Sequence, residues 1–407
     1  MHKISLLWVG VGLLVAGSAP AQDRTPSDSL TANRVVELAR AHAPKVRMAE
    51  SQVLEARGRL SGARSLGQEN PTVEGVASRD DGFERRTQWE LSVPIGIGLG
   101  RASRVGLAKA ELEREQYGVE DARRGAGGQA LSAYFRVLHA ARRVDLARNR
   151  QVLAADLLEA ASQRHRSGEA PRLEVLLTET EDARAQGQVL AEQQGLARSR
   201  VSLALALGLP SGEDLAVSGD LGDLSVLAPS LAQRESKPRS DVLAAQSELR
   251  AAQAARNLAR TDLLPGLAFR MNYGHEDGDA LTRAGLAVTV PLFQYGQESR
   301  QVARAREARA TAQLQLLQNA STAEAGGFRK AYEAASAAAE QLESRALPRV
   351  KESEAMARES FRAGKIDLPA LLIIRRDLLE ARREHLDLLL EAALAGIDLA
   401  VANGNMK

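Results

Sequence analysis

The stretch Thr87-Gln88-Trp89-Glu90-Leu91-Ser92-Val93-Pro94-Ile95 alternates strictly between apolar and polar residues before the chain enters a very long helical run. Thr87, Trp89, Leu91 and Val93 fall on one side, and Arg86, Gln88, Glu90 and Ser92 on the other. That is the two-residue period of a strand with one apolar and one polar face. A near copy follows, in which Ala284, Leu286, Val288 and Val290 alternate with Arg283, Gly285, Ala287 and Thr289, ending in Thr289-Val290-Pro291-Leu292-Phe293. Pro94 and Pro291 are 197 positions apart. Val46 and Val242, Gly168 and Gly364, and Tyr134 and Tyr332 repeat at offsets of 196, 196 and 198 in the same order. These landmarks read as a tandem duplication, each half holding a strand pair among long helices.

Outward from the strands, the helical period dominates. Residues 30 to 65 read as helix with a break at Pro44. A hairpin is expected over Thr72 to Pro94, turning at Arg79-Asp80-Asp81-Gly82. Helix is then expected from about Arg101 to Arg166, with a turn at Ser167-Gly168-Glu169-Ala170-Pro171 and a return helix to about Leu207. The return helix has a three-four seam at Leu173, Leu176, Thr180, Ala183, Gly187, Leu190, Gln194, Ala197, Val201 and Ala204. After a connector over 213–238 the order repeats. Helix spans Ser240 to Leu264, a strand Leu267 to Tyr273, a loop Gly274 to Asp279, and the second strong strand follows. A helix from about Gln297 to Ala363 turns at Gly364 to Pro369 into a last helix reaching about Ala402. Its seam is Leu371, Ile374, Leu378, Ala381, His385, Leu388, Ala392, Ala395 and Leu399. The fold class is mainly α with a small β part, built on long coiled-coil hairpins. The expected divisions are a leader over 1–21, a first repeat over 22–212 with strands about 72–95 and hairpin about 101–207, the connector, and a second repeat over 239–407 with strands about 267–293 and hairpin about 297–402.

Composition supports long helices. Of 407 residues 44% are hydrophobic but only 3% aromatic, as in closely packed helices rich in Ala and Leu rather than a bulky core. The formal charge of +2 gives no basic field for nucleic acid. Lys3, the apolar run Ile4 to Val15 and the small residues Ala19-Pro20-Ala21 before Gln22 form a cleavable export signal. No later segment reaches the roughly 18 uninterrupted apolar residues of a membrane helix. The chain has no cysteine, which excludes disulfides, thiolate metal sites and a lipid-bearing cysteine.

Four short strands cannot close a barrel, for which about eight are needed, and an open sheet edge does not survive in lipid. The polar faces offer Arg86, Glu90, Arg270 and Arg283 to a wet lumen, and the apolar faces offer Trp89, Leu91, Val93, Phe269, Tyr273, Leu286 and Val288 to lipid. Several chains would then pool their strands. The plainer reading is a soluble sheet packed on helices, against which the export signal and the length of the helical arms weigh.

The paired Ser92-Val93-Pro94-Ile95 and Thr289-Val290-Pro291-Leu292-Phe293, the helix start Arg239-Ser240-Asp241-Val242 and the two glycine turns resemble the outer membrane efflux protein family, the TolC-like channel-tunnels of double-membraned bacteria. The resemblance covers the mature chain. It implies a homotrimer with a twelve-stranded transmembrane β-barrel in the outer membrane lipid and a periplasmic α-helical tunnel. It also implies a periplasmic adaptor of the membrane fusion protein kind and an inner membrane pump, of RND type. The run Ala363 to Leu372 followed by Arg375 to Arg383 is most similar to the heavy-metal, cobalt-zinc-cadmium (CzcC-like) branch. That branch implies efflux of metal cations. A drug efflux or type I secretion channel, or a non-conducting coiled-coil envelope protein, are the alternatives.

The same resemblance places the closed tunnel end at the two glycine turns. Candidates there are Arg166, Gly168, Glu169 and Arg172 on the first turn, and Phe361, Arg362, Gly364, Lys365 and Asp367 on the second, with His165 and Glu174 flanking. Relatives with a defined latch carry Tyr three residues before the second glycine and acids on the next helix; here those positions are Phe361, Ala370 and Ile373. No catalytic constellation emerges. His42, His139, His165, His275 and His385 lie far apart without paired carboxylates at ligand spacing, so no enzyme activity, cofactor or metal site is expected. Gly96, Gly98 and Gly100 lack the spacing of a dinucleotide loop.

Overall fold

Alternating strands and uninterrupted helical periods both appear in the computed structural model. It describes residues 29–65, 70–79, 85–95, 99–210, 215–228, 231, 238–261, 265–276, 279–290, 293 and 295–404. The leader expected over 1–21, the turn residues Asp80, Asp81 and Gly82, and Gly96, Gly98, Pro291 and Leu292 lie outside the described residues.

Eight helices are described here as α1 Ala32–His42, α2 Pro44–Ala63, α3 Leu99–Arg166, α4 Arg172–Leu207, α5 Ser240–Thr261, α6 Gln297–Gln341, α7 Leu347–Arg362 and α8 Leu368–Ala402. The strands are β1 Thr72–Arg79, β2 Arg85–Ile95, β3 Gly266–Glu276 and β4 Asp279–Thr289. They form one antiparallel sheet in the order β1-β2-β3-β4. Pro44 separates α1 from α2 and occupies the first turn of α2, where its missing N–H costs nothing. The loop expected over Gly274 to Asp279 is mostly strand: β3 runs on to Glu276, which pairs with Asp279. No described helix is long and apolar enough to cross a membrane.

The core lies midway along the arms. Leu131, Phe135 and Leu138 of α3 pack with Val35 and Ala39 of α1, Leu203 and Leu207 of α4, and Ala393 and Ile397 of α8. The connector joins this core. Its Leu215, Leu221 and Leu227 are buried there, and Leu30 exchanges backbone hydrogen bonds with Ala216 and Ser218 at 2.9 and 3.1 Å. Each buried leucine removes apolar surface worth about 1.5–3 kcal/mol, so a segment rich in Gly and Asp is held by three side chains.

Two sequence expectations are corrected. The helix expected to run unbroken from 297 to 363 is interrupted by a π turn, Leu342–Ala346, just before Leu347-Pro348. Proline has no N–H to donate and its ring clashes with the preceding turn, so a wider turn absorbs the misfit. The second correction concerns α4. Its buried residues are Val175, Thr178, Ala185, Val189, Leu203, Ala204, Ala206 and Leu207, so of the expected seam only Ala204 is buried and most of the packed positions lie two residues on from it. Two residues rotate a helix by about 200°, so the expected seam lies on the opposite face, where Leu173, Leu176, Leu190 and Val201 are exposed. Along the outer part of α4 the packed residues are small, Val175, Thr178, Ala185 and Val189, and only near the core do Leu203 and Leu207 turn inward. In α8 the seam is partly as expected, with Leu371, Leu378, Ala392 and Leu399 buried, but Arg375 is buried rather than Ile374.

Candidate functional site

The sheet register sorts the strand candidates by face. Directly paired residues of antiparallel strands share a face, and the pairs Trp89–Tyr273, Val93–Phe269, Phe269–Leu286 and Leu91–Met271 bring the apolar candidates together. Val288, opposite Leu267, joins them because Leu267 pairs with Ile95. Trp89, Phe269, Tyr273, Leu286 and Val288 are exposed, Leu286 by 68%, although they include the largest apolar side chains of the sheet. Gly75 stands opposite Trp89, whose ring would lie 2.9 Å from a Cβ at that position. The missing side chain lets the indole spread over β1.

On the other face Glu90 pairs with Asn272, which pairs with Arg283, and Ser92 pairs with Arg270. Arg270 and Glu90 form an ion pair at 3.6 Å. Arg86 sits on this face by its pairing with Ser78, while its side chain lies outside the described residues. The sheet therefore has one apolar and one charged side, and its outer strands β1 and β4 each have one neighbour in the sheet.

At the far end of the arms the two turns are alike. Gly168 and Gly364 take φ of +80° and +69°. In each, the residue after glycine donates back to the carbonyl five positions earlier, Glu169 to Arg164 and Lys365 to Ser360, both at 2.8 Å. This is the Schellman closure, which needs a left-handed residue that glycine adopts without strain. His165 Nδ1 lies 2.9 Å from the Ala170 carbonyl oxygen, so it carries the proton and donates across the turn. Arg172 pairs with Glu179 at 3.8 Å. Asp367, a candidate for lumen charge, caps α8 by accepting from the Ala370 N–H at 3.0 Å. Arg166, Glu169, Arg362 and Lys365 are exposed.

The contact joining the two tips runs through Arg164, which was not among the expected residues, to Phe361 and Glu174, which were. The Arg164 guanidinium lies over the Phe361 ring at 5.8 Å and within 3.4 Å of Glu174. Phe361 thus takes part through its ring face, where a hydroxyl is not needed. Arg164 and Phe361 are distant in sequence, and only the folded hairpins bring them together.

Charged networks between the arms also escaped sequence reading. Glu248 of α5 accepts from Arg114 of α3 at 2.6 Å and Arg306 of α6 at 2.9 Å. Burial alone would raise Glu248, but hydrogen bonds from Arg306 and Arg114 outweigh it and hold the carboxyl below its usual range. Asp241 behaves alike: burial opposes, but Arg239, at 2.6 Å, and Arg124 lower it. His139, for which no carboxylate partner was expected, lies 2.7 Å from Asp387 across 248 positions. Among the described residues no group of three or more His, Cys, Asp or Glu could hold a metal ion.

Comparison with known proteins agrees with this geometry. The family model described as outer membrane efflux protein matches residues 35–209 and again 231–405. The cobalt-zinc-cadmium resistance protein CzcC of Cupriavidus metallidurans is 25% identical over 379 residues, covering 91% of this chain and 89% of that protein. Among solved structures, the Campylobacter jejuni CmeC outer membrane channel superposes with a TM-score of 0.74 at 17% identity, covering 92% of this chain and 85% of that one. The outer membrane protein VceC of Vibrio cholerae gives 0.74 at 17% identity, covering 92% and 96%. At such identities these structures establish the fold.

Proposed function

Because the chain belongs to the outer membrane efflux protein family, a family of outer membrane channels and not of enzymes, we propose that it is the exit duct of a tripartite efflux system. It would work as a homotrimer that carries heavy-metal cations passively out of the cell. The observation carrying this reading is the sheet: four strands, one apolar exposed face, one charged face and two open edges. A lone sheet of this kind leaves edge N–H and C=O groups unpaired, which hydrocarbon does not tolerate. Three copies joined β1 to β4 supply twelve strands, with Glu90, Arg270, Arg283 and Arg86 toward water and Trp89, Leu91, Val93, Phe269, Tyr273, Leu286 and Val288 toward lipid.

The arms support the same assembly. The 68 residues of α3 reach roughly 100 Å at 1.5 Å per residue, and α4 has a second apolar stripe that its own chain leaves bare. A helix apolar on two sides needs two neighbours, and the second would be a copy. The repeats 22–212 and 239–407, the connector between them and the cleaved leader belong to this reading. The tunnel would be loaded by an inner membrane pump through a periplasmic adaptor at the tips around Gly168 and Gly364. Similarity to the cobalt-zinc-cadmium resistance protein favours metal cations, with selection left to the pump because a wide aqueous tunnel needs few selective contacts.

Heat-modifiable trimers in the outer membrane fraction and conductance steps in planar bilayers are the expected results. A stable monomer in buffer without detergent would overturn the duct. A deletion strain should lose growth on zinc, cobalt or cadmium; sensitivity confined to hydrophobic drugs would overturn the metal assignment and leave the duct standing.

A further inference from the structure

Between α3, α4 and α8 lies a cavity of 940 Å³, the size of a pocket for a drug-sized molecule. Leu146, Leu153, Leu157, Leu378 and Leu388 give it apolar walls. Arg375 also lines it and is only 9% exposed. The Arg375 Nε and Nη1 atoms are buried without a hydrogen-bond acceptor. Glu354 of α7 approaches Nε to 3.5 Å, an ion pair without a hydrogen bond. Burial, and then Arg358 of α7, push Arg375 below its ordinary pKa, and Glu354 and Asp156 offset them only in part.

Two other guanidiniums of the wall are engaged, Arg143 with Glu192 and Arg150 with Glu181, both at 2.6 Å, while Arg184, Arg376, Arg382 and Arg383 line its more open parts. The buried donors without an acceptor are those of Arg375, in a lining that mixes leucines with seven arginines and seven carboxylates. A buried cationic donor without an acceptor is best satisfied by a charged oxygen, since charge-assisted hydrogen bonds are the strong ones. The leucines in turn suit an apolar body.

We propose that this cavity binds an amphipathic anion, an apolar chain or ring system carrying one carboxylate or sulfonate, with the head group on the Arg375 guanidinium and the body against the leucines. The site is independent of what the tunnel carries. Occupied, it would tie α3 and α4 to α8 part-way between the core and the tips.

The test uses the full mature chain in amphipol and titration calorimetry with decane-1-sulfonate below its micelle threshold. Saturable binding at one site per chain is expected, weakened roughly tenfold, the size of one good polar contact, in Arg375→Met. Arg376→Met, which alters an exposed neighbour lining the same cavity, should bind as the natural chain does. Decanol, with the same body and no charge, should bind much more weakly. Ile373→Trp places bulk at an exposed position lining the cavity and should weaken binding as well. It decides the matter alone if circular dichroism shows that Arg375→Met does not fold. Equal binding by Arg375→Met, or by Ile373→Trp in that case, would overturn the site, and so would decanol binding as tightly as the sulfonate.

Discussion

Tyr134 stands where the first arm, the connector and the N-terminal segment meet. Its hydroxyl donates to the Ser218 carbonyl at 2.7 Å, and its ring meets Phe135 edge-on at 5.4 Å. The next residue, Gly219, has φ of +152°, and a methyl there would overlap the Tyr134 hydroxyl. Tyr134→Phe removes one hydrogen bond to a half-buried carbonyl and should cost about 1 kcal/mol, seen as a modest fall in Tm. Gly219→Ala adds backbone strain and a clash and should cost about 1–3 kcal/mol. The double variant tests the mechanism: with the hydroxyl gone, alanine at 219 should lose much less than it does beside tyrosine. Additive losses would show that the hydroxyl is not what the glycine accommodates. At the tips, Arg164→Ala should loosen the two hairpins from each other by about 0.5–1 kcal/mol, while Phe361→Tyr should preserve the contact. Protease sensitivity near Gly168 and Gly364 would report the loosening.

At the scale of elements, α4 makes a divided prediction because two apolar stripes lie on opposite faces. Val189 is buried against its own chain and Leu190 is 67% exposed. Val189→Asp should destabilise the folded protomer by about 2–4 kcal/mol, as an unpaired charge in a packed seam does. Leu190→Asp should leave the protomer folded and reduce trimer yield on seminative gels. If both changes act on folding alone, the exposed stripe is not an interface. The strands and turns were legible in the sequence because their signals are local: Trp89 to Val93 alternate, and Gly168 and Gly364 each follow a helical run. The working face of α4 was not, because Leu173, Leu176 and Leu190 form as good a three-four series as Val175, Thr178 and Val189. Periodicity fixes the spacing of a seam, and only the neighbour's shape chooses between two. Pro348 was visible, yet a proline within a long apolar period does not say whether a helix ends or widens into a π turn. Glu248 with Arg114 and Arg306, and His139 with Asp387, join residues whose separation follows from the packing of several helices, which no local pattern encodes.

Taken whole, the molecule joins helices from both repeats through ion networks, Glu248 with Arg114 and Arg306 and Asp241 with Arg239 and Arg124. Acid should undo these networks. Asp241 and Glu248 lie below their ordinary values of 3.8 and 4.5, so their contribution is present above those values and is lost as pH falls through the lower folded ones. Asp398, raised by burial against the pull of Arg136, works the other way and offsets part of the loss. Thermal stability should therefore fall as the solution is acidified below the ordinary value of 4.5, and Glu248→Gln should flatten that fall while lowering stability at neutral pH. The sheet answers to a different test. Leu286 points to the apolar face, and arginine in mid-membrane costs about 2–4 kcal/mol per copy, a cost that three joined sheets would feel three times. Leu286→Arg should deplete heat-modifiable trimers from the outer membrane fraction, whereas Arg283→Leu, on the opposite face, should leave them in place and change only the ion selectivity of the conductance. Equal assembly of Leu286→Arg and the natural chain would mean that this face meets protein or water instead of lipid, and the joined barrel would have to be abandoned even if the helical tunnel stood.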